Sequence, residues 1–123
     1  MNSTTITNPA NEAHFATLEP VQGTITVSVG DDVLCRTENA ILLSETSPRG
    51  KYPSVLYFPK ADIADSLQLV AGRTSHCPLK GDASYYSFQG EEVSWTYDRP
   101  LPNAPMLADY VGFYSDKVNI KKG

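Results

Sequence analysis

The sequence contains little cysteine, and its cysteines are not arranged to bind zinc. Cys35 and Cys77 are the two cysteines among 123 residues, which is too few for a disulfide scaffold. Neither belongs to a C-x-x-C pair, and no H-x-x-x-H spacing occurs, so no single turn could present two ligands to zinc. We therefore expect no bound metal and no cofactor. The sequence leaves open whether the thiols are free or form one Cys35–Cys77 disulfide.

Clustered positive charge and long apolar segments are also missing. The formal net charge is −4, and no run of basic residues occurs. Proteins that bind nucleic acid need clustered Lys and Arg to neutralise phosphates, so we expect no nucleic-acid partner. No segment approaches the roughly 18 apolar residues of a membrane-spanning helix, and the N-terminal residues carry no signal-peptide pattern. These absences predict a cytoplasmic protein with no membrane partner.

The motifs of several enzyme classes are absent as well. The sequence has no G-x-x-x-x-G-K-[ST] phosphate loop, no G-x-G-x-x-G dinucleotide fingerprint and no G-x-S-x-G nucleophile elbow. The adjacent carboxylates at 31–32 and 91–92 lie in predicted turns, where acidic side chains are usually solvated. These patterns leave it open whether the protein is an enzyme.

What the sequence does contain is a series of short alternating segments. "TITVSV" and "VLCRTE" flank Gly30, and "ASYYSFQ" and "EVSWTYD" flank Gly90, which predicts two β-hairpins. No segment has a long helical periodicity. We predict a small all-β fold, a sandwich or barrel-like sheet of roughly six to nine short strands. At most two short helical turns are expected, one of them capped by Asp62.

The division of the chain follows from its composition. Residues 1–20 are polar and predict a flexible or loosely docked N-terminal arm, and residues 21–123 predict a single β domain. The alternating segments also predict which side chains face the core. These are Ile25, Val27, Leu42, Val55, Phe58, Val93, Trp95, Val111 and Phe113.

One stretch concentrates reactive side chains. "GRTSHCPLKGDASYY", residues 72–86, holds Arg73, His76, Cys77 and Lys80 ahead of a tyrosine-rich strand. Cations near a thiol favour its reactive form, and aromatic side chains mixed with a few polar groups are typical of small-molecule clefts. The alternative is structural: proline and glycine shape a turn, and Cys77 fills an apolar space. These residues alone do not decide between the two interpretations.

Three stretches together resemble one bacterial family. They are "YFPKADI" (57–63), "RTSHCPLKGDASYYS" (73–87) and "WTYDRPLP…YVGFYSDKV" (95–118). Their order and spacing are similar to those of the domain of unknown function 427 family. The resemblance implies a compact β domain with a tent-like topology similar to methionine sulfoxide reductase B, without the paired C-x-x-C zinc ligands found in that fold group. A nucleotidyltransferase label sometimes given to the family implies a D-x-D pair, which this sequence lacks.

From these observations we predict an otherwise uncharacterised protein that binds a small anionic or aromatic ligand in a pocket around the Arg73–Lys80 loop. One alternative is a thiol- or lysine-dependent enzyme with Cys77 or Lys80 as nucleophile and Asp62 or His76 as proton acceptor. Another is an interaction module that pairs through an exposed sheet edge, and a homodimer is also compatible with the sequence.

The predicted site has a defined composition. A partly buried ammonium is costly without a partner, so we expect Lys80 to lie near a carboxylate, most simply Asp62. The residues expected to converge on one concave surface are Tyr57, Asp62, Arg73, Cys77, Lys80 and Tyr86.

Overall fold

Antiparallel strands make up most of the structure. The computed structural model describes residues 3–123, which form twelve strands and two short 3₁₀ turns. The strands are β1 (Thr4–Asn8), β2 (Asn11–Pro20), β3 (Ile25–Val29), β4 (Asp32–Thr37), β5 (Ile41–Ser47), β6 (Gly50–Lys51), β7 (Val55–Pro59), β8 (Gln68–Cys77), β9 (Gly81–Phe88), β10 (Glu91–Pro100), β11 (Tyr110–Phe113) and β12 (Asn119–Lys122). The 3₁₀ turns are η1 (Lys60–Asp62) and η2 (Pro105–Asp109). The all-β prediction is confirmed, with more strands than expected.

The strands form two sheets. The large sheet has the order β1–β2–β5–β7–β11–β10–β9–β8, with β6 beside β5. The small sheet has the order β12–β3–β4, so that strands distant in sequence become neighbours. Within residues 3–123, neither 3₁₀ turn has the length and apolar composition that crossing a bilayer requires.

Both predicted hairpins are present. β3 and β4 are joined at Gly30, whose φ is 57°, and β9 and β10 are joined at Gln89 and Gly90, whose φ values are 52° and 84°. Positive φ angles match the twist of a two-residue hairpin turn to that of the strands. The glycines in the sequence therefore marked these turns correctly.

Residues 4–20 form a hairpin within the large sheet, not the flexible arm that their polar composition suggested. β1 pairs with β2, and β2 pairs with β5. Ile6, Ala16 and Leu18 are buried. Threonine is a good strand former, and the few apolar residues of this segment alternate with it. The polar overall composition of the segment therefore concealed a strand pattern.

The small sheet covers one face of the large sheet and encloses the main core. Of the nine predicted core residues, the six that are buried are Ile25, Val27, Phe58, Val93, Val111 and Phe113. The other three, Leu42, Val55 and Trp95, are partly exposed. Trp95 lies on the opposite face from Val93 because a register shift between Glu92 and Ser94 interrupts the alternation.

Asp62 does not cap a helical turn. It is the last residue of η1, and the chain returns to an extended conformation at Ile63. Its Oδ2 accepts a hydrogen bond of 2.6 Å from Thr37 Oγ1 at the end of β4, and Ile63 forms a bridge with Cys35. Asp62 therefore helps to hold the small sheet against the segment that follows β7.

The large sheet curls, so that its second face is concave. Three strands separate β5 from β9, which would place these two strands about 19 Å apart in a flat sheet. Nevertheless, Lys80 Nζ, directly before β9, lies 3.0 Å from Glu45 Oε1 on β5. Asn103 Nδ2 also donates to Thr7 O at 2.9 Å and to Leu79 O at 3.1 Å, which ties β1 to the β8–β9 turn. Within the described residues the edge strands β1 and β8 do not pair, so the sheet stays open.

Substituting Ile6 tests whether the N-terminal hairpin is part of the cooperative fold. Ile6 is 1 % exposed, so Ile6→Ala should lower the free energy of unfolding by about 3 kcal/mol. Denaturant unfolding followed by circular dichroism measures this change. The neighbouring exposed residue provides the control, because Thr5→Ala should have almost no effect. Equal stability of the two variants would show that residues 4–8 are not packed.

Candidate functional site

Aromatic side chains form a row across the concave face of the large sheet. Tyr57 on β7 pairs with Gly112 on β11, and Gly112 pairs with Trp95 on β10. Trp95 in turn pairs with Tyr85 on β9. Side chains that lie opposite one another project to the same face of a sheet. Tyr114 packs beside this line, with its ring 5.0 Å from the Trp95 ring. Together with Tyr97, two residues beyond Trp95 on β10, these side chains are called the aromatic row.

Gly112 allows Trp95 to lie across β11. A Cβ atom at this position would be 2.4 Å from Cζ2 of Trp95, so no side chain larger than hydrogen fits beneath the indole. Trp95 Nε1–H consequently reaches the Tyr57 hydroxyl and donates a hydrogen bond of 3.1 Å. The two rings are 6.0 Å apart and nearly perpendicular, an arrangement favoured by their quadrupoles.

A polar network crosses the concave face beside this row. Lys80 Nζ lies 3.0 Å from Glu45 Oε1, and Glu45 Oε2 lies 2.8 Å from His14 Nε2. Asn8 Nδ2 is 3.1 Å from His14 Nδ1. An amide nitrogen can only donate, so Nδ1 is the acceptor and Nε2–H donates to Glu45. His14 therefore takes part as a neutral ring, and the network contains one cation and one anion.

The network is mostly buried but still reaches solvent. The side chains of Lys80, His14 and Glu45 are 12 %, 13 % and 16 % exposed. Burial alone would lower the pKa of Lys80, but electrostatic interactions with Tyr57, Tyr97 and the Glu45 carboxylate, together with a hydrogen bond to Glu45, raise it above its usual value. Burial alone would raise the pKa of Glu45, but hydrogen bonds with His14 and Lys80 lower it. Both groups are therefore held in their charged forms.

The tyrosines around Lys80 remain neutral phenols. Burial raises the pKa of Tyr57, and this effect outweighs the opposing influences of the Lys80 ammonium and of the hydrogen bond from Trp95. Burial likewise raises the pKa of Tyr97. The Lys80 ammonium lies 5.4 Å from the centre of the Tyr97 ring, which is within the range of a cation–π contact.

A second ion pair lies at the other end of the aromatic row and is more exposed. Arg73 Nε donates to Glu92 Oε1 at 2.9 Å, and the Arg73 guanidinium lies 4.1 Å from the centre of the Tyr85 ring. The Tyr114 hydroxyl donates to Glu92 Oε2 at 2.8 Å. Both cations of the concave face therefore have a carboxylate partner.

The structure brings together three of the six predicted site residues. Tyr57 and Lys80 are neighbours, and Cys77 packs against the same cluster on the concave face. Arg73 lies at the far end of the aromatic row, over Tyr85. The expected convergence of all six residues is therefore only partly present.

Asp62 and Tyr86 lie on the opposite side of the large sheet. Asp62 contacts the small sheet through Thr37, so the predicted Lys80–Asp62 pair is wrong and Glu45 takes its place. Tyr86 follows Tyr85 by one residue on β9 and consequently points to the other face. It borders a separate cleft of about 270 Å³ that is also lined by Lys60, Ile63, Ala64, Asp65, Leu67 and Val111.

Several residues of the site are absent from the predicted set, among them His14, Glu45, Tyr85, Tyr97 and Tyr114. The alternation "WTY" could have placed Tyr97 on the same face as Trp95. His14 and Glu45 carry no local signal, because they reach Lys80 only through the curl of the sheet.

The stretch 72–86 is a hairpin rather than a long loop. β8 continues to Cys77, a tight turn spans residues 78–80, and Cys77 pairs with Gly81 at the start of β9. Gly81 has a φ of 117°, and a Cβ atom there would lie 2.5 Å from the backbone oxygen of Arg99. This close approach fixes the turn and with it the position of Lys80.

A cleft adjoins the aromatic row beside Trp95. It has a volume of about 350 Å³ and is bordered by both Trp95 and Tyr114. The remaining lining residues are mainly apolar and are Ser54, Val55, Leu56, Phe113, Ser115, Asp116 and Ile120. A small apolar or aromatic group could therefore contact the row without displacing the core.

The two cysteines are free thiols in different surroundings. Cys35 is 1 % exposed, and burial together with the charge of Asp62 raises its pKa to about 12. Cys77 is partly exposed at the end of β8. Within residues 3–123 no three side chains of His, Cys, Asp or Glu are grouped so as to hold a metal ion. The expectation that the protein binds no metal stays a prediction.

Comparison with known protein families gives one match. Residues 17–122 match the family model described as "Domain of unknown function (DUF427)". No curated protein matches the chain. The resemblance that the three sequence stretches indicated is thereby confirmed, whereas the proposed similarity in topology to methionine sulfoxide reductase B stays a prediction.

Removing the charge of Glu45 should destabilise the fold in a pH-dependent way. Glu45→Gln leaves the Lys80 ammonium largely buried without a counter-ion, so the free energy of unfolding should fall by about 3 kcal/mol at pH 7. Because the pKa of Glu45 is lowered from 4.5 in the folded protein, its contribution is complete above about pH 4.5 and is lost as the pH falls through the folded-state value. The two proteins should therefore become similar in acid.

Urea unfolding between pH 3 and pH 7 measures this dependence. Glu12 is exposed on the neighbouring strand β2, so Glu12→Gln should follow the unsubstituted protein at every pH. A difference between Glu45→Gln and the unsubstituted protein that did not change with pH would contradict the assignment.

The two cysteines should differ in reactivity. Iodoacetamide at pH 8 should modify Cys77 in the native protein and leave Cys35 unmodified, because Cys35 is buried and its thiol resists ionisation. Peptide mass spectrometry locates the label, and unfolding in urea should make both cysteines react. Labelling of Cys35 at the rate of Cys77 in the native protein would show that the small sheet opens readily.

Proposed function

The chain belongs to the domain of unknown function 427 family, whose description names no activity, and we propose that the protein binds a small planar aromatic ligand against the aromatic row. The observation that carries this proposal is the gathering of five aromatic side chains on one concave face. Four of them, Tyr85, Trp95, Tyr97 and Tyr114, are partly exposed. Two of these four, Trp95 and Tyr114, border a cleft large enough for a single- or double-ring compound.

The contrast between the two faces of the large sheet supports a binding role. On the core face, Phe58 and Phe113 pack at 5.6 Å and are 0 % and 3 % exposed, as expected for rings that only fill a core. On the concave face Tyr57 is buried, but Trp95 and Tyr114 are held in place by hydrogen bonds and remain partly exposed. Because fixed, accessible rings are already ordered, a ligand can stack on them without a large loss of side-chain conformational entropy.

The charges of the concave face favour an aromatic ligand over a simple anion. Lys80 is paired with Glu45, and Arg73 is paired with Glu92. A phosphate or sulfate that approached Lys80 or Arg73 would have to compete with these carboxylates. Of the two ligand classes that the sequence suggested, the aromatic one is therefore supported better.

The alternative functions receive less support. A lysine nucleophile must be unprotonated, whereas the surroundings of Lys80 raise its pKa. Pairing through the β8 edge would meet a register shift between Leu69 and Thr74 and a φ of 73° at Gly72. Such bulges commonly prevent a partner strand from adding to an edge.

Binding of indole tests the proposal. Trp95 is the single tryptophan of the sequence, so its Nε1–H gives one resolved side-chain signal in a ¹H–¹⁵N correlation spectrum. Titration with indole should shift this signal in a saturable manner, because a stacked ring changes the magnetic surroundings of the indole and strains its bond to Tyr57.

Two variants make the experiment specific. Tyr114→Ala removes a wall of the row beside Trp95 and should weaken indole binding about tenfold, consistent with the contribution of one stacking partner. Tyr52 is 49 % exposed and lies outside the row, so Tyr52→Ala should bind indole normally. A linear, non-saturable shift, or equal effects of the two substitutions, would contradict a ring site at the aromatic row.

A further inference from the structure

We infer that the ligand of this site carries an uncharged carbonyl oxygen next to its aromatic ring and that Lys80 donates a hydrogen bond to this oxygen. The inference rests on the proposed function, because it names the chemical class of ligand that the same face would select. It assigns Lys80 to ligand recognition and Glu45 to the positioning of Lys80.

Lys80 lies beside the rings of the aromatic row. Its ammonium lies 5.4 Å from the centre of the Tyr97 ring and close enough to Tyr57 for each group to affect the pKa of the other. A ring stacked against Tyr97 would therefore have its substituents within reach of Nζ. The partial exposure of Lys80, Glu45 and His14 leaves an opening through which a substituent can approach.

Lys80 keeps hydrogen-bonding capacity for a ligand after it has paired with Glu45. A lysine ammonium has three N–H donors, and Glu45 offers it one oxygen, since the other oxygen of that carboxylate is bonded to His14. Donors therefore remain for an incoming acceptor. Buried ammonium donors gain free energy from each acceptor they find, because water has been largely removed from them.

The charges already present around Lys80 determine whether a neutral or a negatively charged ligand oxygen is preferred. Glu45 already neutralises Lys80, and His14 takes part as a neutral ring. A carboxylate ligand would add a second negative charge near Glu45 without a second cation, and its desolvation would oppose binding. An amide, lactam or ketone oxygen accepts the same hydrogen bond without this cost. Aromatic lactams and related heterocyclic carbonyl compounds are the class that fits.

A matched series of ligands tests this inference. Indole is a fused ring without a carbonyl group, oxindole adds a carbonyl oxygen to a similar ring system, and indole-2-carboxylate adds a charge. For the unsubstituted protein, oxindole should bind about ten times more tightly than indole, as expected for one hydrogen bond from a charged donor. Indole-2-carboxylate should bind no more tightly than indole. Dissociation constants are obtained from the Trp95 Nε1–H signal.

The variants identify the donor. Lys80→Met combined with Glu45→Met replaces the ion pair by apolar side chains of similar size, which usually preserves folding, and it should bring the affinities for oxindole and indole to the same value, whatever its effect on indole binding itself. Lys80→Arg keeps a charged donor and should retain part of the preference. Arg73→Met removes the other cation of the concave face and should leave the preference unchanged.

The outcomes separate the two proposals. If indole and oxindole bind with equal affinity to the unsubstituted protein, the ring site stands and the carbonyl inference is overturned. The inference is overturned equally if the double methionine variant keeps the full preference for oxindole, or if indole-2-carboxylate binds most tightly. If neither indole nor oxindole shifts the Trp95 signal in a saturable manner, the ring site is absent and both proposals fail.

Discussion

The ion pair between Lys80 and Glu45 is the contact on which the shape of the concave face depends. It joins β5 to the β8–β9 turn, although three strands separate these elements in the large sheet. Asn103 makes a second connection in the same direction with neutral hydrogen bonds to Thr7 and Leu79. Both connections require the sheet to curl, and the curl in turn brings the aromatic row and the polar network onto one surface.

An ion pair is a costly way to hold two strands together. Two charges lose most of their hydration at this position, and the net stabilisation from such pairs is small or even unfavourable compared with apolar side chains of the same volume. Asn103 shows that another distant strand, β1, is joined to the same turn without charge. Under the proposed function, the ion pair holds an ammonium group at the edge of the aromatic row. This role accounts for the pair better than its small contribution to stability does.

Local signals in the sequence were sufficient for much of the fold, but the site depends on contacts that no local pattern records. The hairpins at Gly30 and Gly90 follow from turn chemistry and alternation over a few residues, and the structure contains both. The structure also brings Tyr57, Cys77 and Lys80 onto the concave face. Glu45 and His14 could not be found in this way, because they meet Lys80 only after strands from distant parts of the chain have assembled and curled.

The error in assigning Trp95 to the core has a definite physical cause. Alternation predicts the face of a side chain only while the register is unbroken, and β10 changes register between Glu92 and Ser94. Val93 is therefore buried in the core while Trp95, two residues later, lies on the concave face. A single inserted residue, which has no clear signature in the sequence, moved the central ring of the site from one side of the sheet to the other.

The pairing of β12 with β3 has a consequence for the order of folding. Lys122 lies opposite Ile25, so the small sheet cannot be completed until residues 119–122 have been synthesised. Until then β3 has an unpaired edge, and the core residues Ile25 and Val27 lack part of their cover. Closing such a long loop is entropically slow, as is typical of topologies rich in distant contacts. During synthesis β3 therefore keeps one unpaired edge until β12 has formed.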